Sequence, residues 1–380
     1  MSKKVTALFV GTGILALLSG CSVIGNPDLM ANWSADKRSL ASFKADPNAQ
    51  ACYARATEPY TTIVDAHMHP RPFGGEAVPF AEMNSYFSKT GVKFATYFGI
   101  GQALEIDSTC TYYLDCPGTE ALPSIKNDFV NAIQYDDFRD THEEKNVDIV
   151  LSMTFPDLAH PKDIVSMIHL YDKEFPGMFK WAGELNVIKQ ALLKNGHEPA
   201  TLANINKWSD FMTILRERNI PVTLHSDLGN DKEPTKYLYL MEHVLKQYPK
   251  NKIVWAHMGL SRELATMDPA THIKIMASAL DKNSNLLLDT SWRVLYDTYF
   301  HKPEVEELYI EFFNKYSDRI LNGTDFVASR AKNFKIYKNE LDVISRFHKK
   351  LNDMAFRNIA LGENYFRLLG SDYHAPHICN

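Results

Sequence analysis

The sequence predicts an α/β protein folded as one (β/α)8 TIM barrel, on three observations. Short apolar, β-branched runs alternate with longer helical patterns from about residue 62 onward, which is typical of parallel strands joined by crossover helices. Eight such units fit a single barrel in a chain of 380 residues. No Gly-x-Gly-x-x-Gly follows an early strand, so an open, doubly wound sheet is the less favoured alternative.

The predicted strands are short, and several are almost entirely apolar, as expected of strands covered on both faces. They are Thr62–Ala66, Lys93–Phe98, Val147–Thr154, Phe179–Glu184, Pro221–Leu224, Lys252–Ala256, Asn285–Asp289 and Arg319–Gly323. The predicted helices are Ile125–His142, Asp163–Phe175, Ala200–Asn219, Lys236–Tyr248, Thr271–Asp281, Pro303–Tyr316, Glu340–Lys349 and Asn364–Leu369. The long segment 99–124 is expected to form a lid or substrate wall, because loops after barrel strands line the active face.

The first twenty residues have the pattern of an export signal. Two lysines precede an apolar run that ends in Leu18-Ser19-Gly20-Cys21, and this run is too short for a spanning helix. Residues 18–21 resemble the bacterial lipobox, which predicts lipidation of Cys21. An ordinary export signal is the alternative. By resemblance to Gram-negative lipoproteins, Ser22 in place of aspartate favours the outer membrane. The predicted organisation is therefore a signal peptide (1–20), a tether and lead-in (21–60) and the barrel (61–380).

The charge balance argues against a nucleic-acid partner. The whole chain has a formal charge of −5, and removal of the two lysines in the signal makes it more negative by two. No basic run is present, and no second stretch of about twenty apolar residues could span a membrane. The expected partners are a small-molecule substrate and, through the lipid anchor, a membrane. The oligomeric state is left open.

Four cysteines remain after the predicted lipidation site. An even number in an exported protein favours two disulfides, for which three connectivities exist. The pairs Cys110–Cys116, within a local loop, and Cys52–Cys379, joining the two ends of the domain, are favoured. Four free, buried thiols are the alternative.

The strongest chemical signal is the sequence Val64-Asp65-Ala66-His67-Met68-His69. Alternate side chains of a strand point the same way, so His67 and His69 leave the end of the first strand together. Further candidates end later strands: His225 the fifth, His257 the sixth and Asp325 the eighth. The carboxyl ends of barrel strands converge on one face, so these side chains predict one metal site. Histidines with a carboxylate suit zinc, and also iron or manganese, with a position left for water.

These motifs, with the terminal sequence from Ile359 to Gly370, resemble the amidohydrolase superfamily. The resemblance spans residues 62–370 and is greatest to the branch containing small-molecule decarboxylases and lactonases. It implies that His67, His69, His225 and Asp325 hold the metal and that Asp325 also moves a proton. His257 would polarise the scissile carbonyl or act as the acid–base partner, and Asp65 would orient one of the histidines.

Glu184 replaces the carboxylated lysine that many binuclear relatives carry at the end of the fourth strand. It is expected to bridge two ions, to bind one, or only to form hydrogen bonds. One ion is the default expectation; with two, His257 would be a ligand and not an acid. Weaker candidates for substrate contact follow later strands, namely Asp157, His160, Asp289, Trp292 and Arg330.

Three functions fit these residues. The first is a hydrolase that cleaves a C–O or C–N bond of a lactone, ester or amide with activated water. The second is non-oxidative decarboxylation of a small aromatic acid on the same metal site. The third is a non-catalytic lipoprotein that binds a ligand, which the complete ligand set argues against.

Overall fold

The computed structural model describes residues 38–46, 49–104, 109–141 and 147–379. Nine parallel strands form one curved sheet, and two further strands form a small antiparallel pair, β3–β4, beside it. The strands are β1 Val64–His69, β2 Phe94–Tyr97, β3 Gln102–Leu104, β4 Ala121–Pro123, β5 Asp148–Met153, β6 Phe179–Ile188, β7 Val222–Ser226, β8 Ile253–Trp255, β9 Leu286–Asp289, β10 Ile320–Leu321 and β11 Phe326–Val327. The order across the sheet is β10-β9-β8-β7-β6-β5-β2-β1-β11.

The strands β10 and β11 together occupy the eighth position of the barrel. The first pairs with β9 and the second with β1, and only four residues separate them in the chain. Between them, Ala66 donates its backbone N–H to the Asn322 carbonyl and Asp325 donates to the His67 carbonyl. The segment 320–327 therefore joins the two edges of the sheet, as the predicted (β/α)8 barrel requires.

The helices cover the outside of the sheet, and most lie where the sequence predicts them. They are α1 Phe80–Thr90, α2 Lys126–Thr141, α3 Ile164–Glu174, α4 Leu202–Ile205, α5 Ser209–Glu217, α6 Leu238–Gln247, α7 Pro269–Lys282, α8 Arg293–Leu295, α9 Pro303–Lys315, α10 Phe334–His348, α11 Asp353–Ile359 and α12 Glu363–Leu369. Three were missed: α1, which ends at a left-handed Gly91, the one-turn α8, and the short α11, whose first turn is capped by Asn352.

The single helix predicted over 200–219 is wrong, because the chain forms two helices there. Trp208 lies at the break, where its ring is buried against Tyr248 and its indole N–H donates to the Leu158 carbonyl. A bulky side chain that must find both a packing partner and an acceptor redirects the chain between α4 and α5.

The segment before the barrel is packed onto it, at least from residue 38 onward. Phe43 and Tyr53 are buried in the main core, and Phe43 contacts Phe94 of β2 and Phe366 of α12. The folded unit therefore begins earlier than the predicted boundary at residue 61. The predicted signal peptide and Cys21 lie outside the described residues. Within the described part, no helix is long and apolar enough to cross a membrane.

Both predicted disulfides are confirmed. Cys52 is bonded to Cys379 across a sequence separation of 327 residues, and Cys110 to Cys116 across only 6. The first bond joins the two ends of the described domain, while the second closes a local loop in segment 99–124.

Replacing Cys52 and Cys379 together with serine is expected to lower the free energy of unfolding by about 2–5 kcal/mol, because the bond restricts a very long loop in the unfolded chain. Urea unfolding of the exported domain measures this loss. The matched control replaces Cys110 and Cys116, whose short loop predicts a smaller loss. Equal losses in the two variants would contradict the argument from loop length.

Candidate metal centre

Six side chains converge at the carboxyl ends of the barrel strands. His67 and His69 project from β1, Glu184 from the middle of β6, and His225 from β7, while His257 follows β8 and Asp325 lies between β10 and β11. Their ligand-type atoms form three overlapping groups, in each of which all atoms lie within 4.8 Å of one another. The groups are His67–His69–Glu184, His67–His257–Asp325 and Glu184–His225–His257.

Glu184 lies at the middle of this cluster, with its two oxygens directed at different histidines. Its Oε2 lies 4.0 Å from His67 Nε2 and 3.7 Å from His69 Nε2. Its Oε1 contacts His225 Nδ1 and lies 3.4 Å from His257 Nε2. The carboxylate therefore separates the cluster into two halves, each with two imidazole nitrogens.

Asp325 lies beside His67 and His69. Its Oδ1 lies 3.2 Å from His69 Nε2 and 3.6 Å from His67 Nε2. The residue has a left-handed backbone, with φ of 53°, and its N–H donates to the His67 carbonyl. Aspartate tolerates this conformation better than most residues, which lets the chain turn the carboxylate toward the histidines.

The histidine nitrogens that face away from the cluster are held by other groups. His67 Nδ1 donates to Asp289 Oδ2 at 2.6 Å, and His69 Nδ1 donates to the Gly99 carbonyl at 2.6 Å. His225 Nε2 lies 2.9 Å from Asp227 Oδ1. These contacts fix the tautomer and the ring orientation, so that the other nitrogen faces the cluster. Asp289, expected as a substrate contact, is buried and orients a ligand instead.

Replacing Asp289 with asparagine is expected to weaken metal affinity about 10–100-fold, because His67 loses its charged hydrogen-bond partner. Competition with a chromophoric chelator measures the affinity. Asp157→Asn serves as the control, because Asp157 pairs with His160 at 2.8 Å and belongs to none of the three groups of ligand-type atoms. An unchanged affinity in Asp289→Asn would exclude this orienting role.

The predicted role of Asp65 as the partner of a histidine ring is wrong. Its carboxylate accepts from the Thr324 N–H at 2.9 Å and from the Thr324 hydroxyl at 2.7 Å. Burial raises the pKa of Asp65 to about 7, although these hydrogen bonds oppose the shift. Asp65 thus fixes the turn that precedes Asp325, and it positions the site through the backbone.

Lys189 supplies a positive charge that the sequence analysis missed. Its Nζ lies 3.3 Å from both oxygens of Glu184, and its side chain is only 14% exposed. Burial alone raises the pKa of Glu184, but the charge of Lys189 and the contacts with His225 and His257 hold it well below its usual range. Burial likewise raises the pKa of Asp325, and the neighbouring histidines lower it more. Both carboxylates are therefore ionised.

A cavity of 580 Å³ opens above the cluster and provides room for a small molecule. Segment 99–124 contributes Tyr112 and Tyr113 to its wall, so this segment lies where a substrate wall was expected. Trp292 also lines it, with its ring 5.2 Å from that of His257. The catalytic cavity, as we call it below, thus combines aromatic walls with a charged floor.

Three predicted substrate contacts do not reach the catalytic cavity. The Arg330 guanidinium pairs with Glu82 at 2.7 Å on the surface and lines a different cavity. Asp157 caps a turn by accepting the Ala159 N–H and pairs with His160, and neither of these two lines the catalytic cavity. Position after a strand was the only signal for all three, and the loops carry these side chains away from the centre.

Three residues of the site were missed, namely Lys189, Asp227 and Ser291. Asp227 and Ser291 lie two residues after His225 and Asp289, so strand parity was a usable signal for them. Lys189 follows a strand that continues to Ile188, beyond the end expected from its apolar pattern. The prediction stopped β6 four residues early, at Glu184, and so placed Lys189 in a loop.

The donor set fits a divalent metal. Four imidazoles and two carboxylates are directed at one another, and the histidines and Glu184 are buried. Imidazole with carboxylate suits zinc, iron and manganese. The two carboxylates favour positive charge in this buried site, and Lys189 supplies one unit of it.

The barrel and this cluster define a metal-dependent enzyme of the amidohydrolase type. Residues 158–343, just under half of the chain, match the family model described as amidohydrolase, in agreement with the resemblance that the motifs carry. Among curated proteins, none matches the chain.

One of three similar solved structures supports the fold. An amidohydrolase from Burkholderia multivorans with bound zinc is 10% identical, covers 82% of this chain and 99% of its own, and has a TM-score of 0.51. Dihydroorotase from Campylobacter jejuni is 12% identical over 81% of this chain and 83% of its own, with a TM-score of 0.46. A 4-oxalomesaconate hydratase from Rhodopseudomonas palustris is 14% identical over 81% and 95%, also with a TM-score of 0.46. At 10% identity, the similarity to the Burkholderia structure supports the barrel fold alone.

Proposed function

We propose that this chain hydrolyses a C–O or C–N bond of a small molecule, such as a lactone, ester or amide. The observation that carries the proposal is the position of Glu184 between two pairs of histidines, with Asp325 beside one pair at the floor of a cavity. A site built for hydrolysis needs activated water, a proton acceptor and space for a carbonyl substrate. The cluster offers all three.

The two halves of the cluster favour two ions over the single ion expected from the sequence. His67 and His69 face one oxygen of Glu184, and His225 and His257 face the other. A carboxylate with ligands on both sides is suited to bridge two cations. His257 then serves as a ligand, which is the role assigned to it for a site with two ions.

Bound divalent ions would lower the pKa of a water molecule and polarise a carbonyl oxygen. Asp325 is ionised, lies at the floor of the cavity and is 15% exposed, so it can accept a proton from water and pass it to the leaving group. Lys189 holds Glu184 in place between the histidine pairs. Trp292 and Tyr113 exclude water from one wall and present flat apolar faces to the substrate.

Elemental mass spectrometry of the purified domain tests the centre directly. We expect about two equivalents of zinc, iron or manganese, and their loss in a His67→Ala/His69→Ala variant. One equivalent would favour the single-ion arrangement. Absence of metal, even after reconstitution, would refute the enzyme assignment and favour a ligand-binding lipoprotein.

The reaction is tested by incubating the metal-loaded protein with lactones, esters, amides and aromatic acids in ¹⁸O-labelled water. Hydrolysis places one labelled oxygen in the acid product, whereas decarboxylation releases carbon dioxide and leaves the organic product unlabelled. Carbon dioxide release from an aromatic acid, with no labelled product from the other substrates, would replace our proposal with the decarboxylase alternative.

We also propose that Cys21 carries a lipid that anchors the protein to the outer membrane. The two disulfides support export, because such bonds persist in oxidising compartments. In a Gram-negative host, Cys21→Ser is expected to move the protein from the membrane fraction to the soluble periplasmic fraction. Fractionation with immunoblotting checks this, and unchanged membrane retention would exclude the anchor.

A further inference from the structure

A second cavity, which we call the side cavity, lies beside the catalytic cavity. It has a volume of 1190 Å³ and is lined by the loop after β1, the β3–β4 pair and the first turn of α2. Pro72 and Phe73 line both cavities, and the Phe73 ring packs on Tyr113 at 4.5 Å. This wall separates the side cavity from the histidine cluster.

We propose that the side cavity binds a small anion that carries a carboxylate or a phosphate group. Three of its lining residues offer donors for such a group, namely Arg71, Lys126 and Asn127. They come from two different segments of the chain, which the fold brings together at one surface. The site is independent of the metal centre and of the reaction proposed for it.

Arg71 is a charged group without a counter-ion among the described residues. Its guanidinium Nε is buried and has no hydrogen-bond partner among the described residues, and no ion pair involves it there. Burial lowers its pKa, which means that the charged form loses hydration in this position. An unpaired buried donor is costly, and an oxyanion bound by the guanidinium fork would remove that cost.

The first turn of α2 provides the second half of the site. This helix has 16 residues, and no described acceptor pairs with the backbone N–H groups of Asn127 and Asp128. A long helix directs a partial positive charge from its N-terminus, which favours an anion there. The Asn127 side chain lines the cavity, is only 7% exposed, and likewise has no described hydrogen-bond partner.

The remaining charges of the side cavity leave a positive excess. Lys126 pairs with no described acid, whereas the Arg330 guanidinium is neutralised by Glu82. Glu76 is the one carboxylate among the described lining residues, and it is exposed and forms no ion pair with a described residue. Arg71 and Lys126 thus outnumber it before the helix N-terminus is counted.

Calorimetric titration of the metal-loaded domain with inorganic phosphate and with acetate tests the proposal. Each titration is repeated after removal of the metal, so that binding at the metal centre is separated from binding at the side cavity. We expect binding of at least one anion that persists without metal and is weakened tenfold or more by Arg71→Gln. The anion that binds more tightly identifies phosphate or carboxylate as the ligand chemistry.

Arg330→Gln is the matched control, because Arg330 lines the same cavity but is already paired; we expect less than a twofold change. Lys126→Met, at an exposed position, gives a second test should Arg71→Gln fail to fold, and at least threefold weaker binding is expected. The proposal is overturned if neither anion binds the metal-free protein, or if Arg71→Gln and Lys126→Met bind as tightly as the native chain.

Discussion

Replacing Asp325 with asparagine is expected to lower kcat about 10²–10⁴-fold, the usual contribution of a positioned proton acceptor. The carboxylate lies 3.2 Å from His69 Nε2 at the floor of the catalytic cavity, beside histidines that would hold the metal. Asparagine keeps the shape and one ligand oxygen but cannot accept the proton. Steady-state kinetics on the substrate found in the labelled-water screen measures the loss.

The informative control is Asp297→Asn. Asp297 lines the same cavity, but it pairs with Arg293 at 2.9 Å and is half exposed, so we expect kcat to change less than about twofold. Metal content and the unfolding curve of Asp325→Asn are measured in parallel, to separate loss of proton transfer from loss of an ion. Native turnover in Asp325→Asn with its metal retained would remove Asp325 as the proton acceptor.

The barrel strands were predictable because each is a short, continuous apolar run with a defined start. Their carboxyl ends were predictable for the same reason, and this located the histidines and Asp325, which the structure brings together. Parity along β1 was enough to place His67 and His69 on one face. These features depend on the alternation of side chains along a strand or on local hydrophobicity, and both can be read from a single sequence.

The features that the sequence did not reveal depend on contacts between segments that are far apart in the sequence. The contact between Asp289 and His67 joins residues 222 positions apart, and Lys189 reaches Glu184 only because β6 extends past its apolar run. Asp65 has the right parity to meet a histidine, yet the neighbouring Thr324 satisfies it first. The position of a residue on a strand predicts the direction of its side chain. Its hydrogen-bond partner depends on which residues the adjacent strand places beside it.

Arg330 illustrates the same limit on the loops. It follows the eighth strand, as a substrate-binding residue would, but its backbone N–H is tied to the Glu76 carbonyl and its guanidinium to Glu82. Both partners lie more than two hundred residues earlier in the chain. The conformation of a loop decides whether a side chain points toward the metal centre or away from it. Unlike a strand or a helix, a loop has no repeating pattern in the sequence.

Replacing Glu184 with glutamine is expected to have the largest effect on the metal centre, with loss of at least one of the two ions. Glu184 is the residue shared by the two histidine pairs, and a neutral amide is a poor bridge between cations. The substitution also leaves Lys189 as a buried charge without its partner. We therefore expect the metal-free variant to be about 3–5 kcal/mol less stable than the metal-free native protein.

The double variant Glu184→Gln/Lys189→Met separates these two consequences. Removing both charges of a buried pair is often close to neutral for stability, so the metal-free double variant should recover most of the lost free energy of unfolding. It should not recover the ions, because the second ligand oxygen and the negative charge of the carboxylate remain absent. Urea unfolding measures the stability, and elemental mass spectrometry the metal content, of the native protein, the single variant and the double variant. Full metal content in either variant would show that Glu184 is no ligand, while a double variant as unstable as the single one would show that its pairing with Lys189 contributes little to the fold.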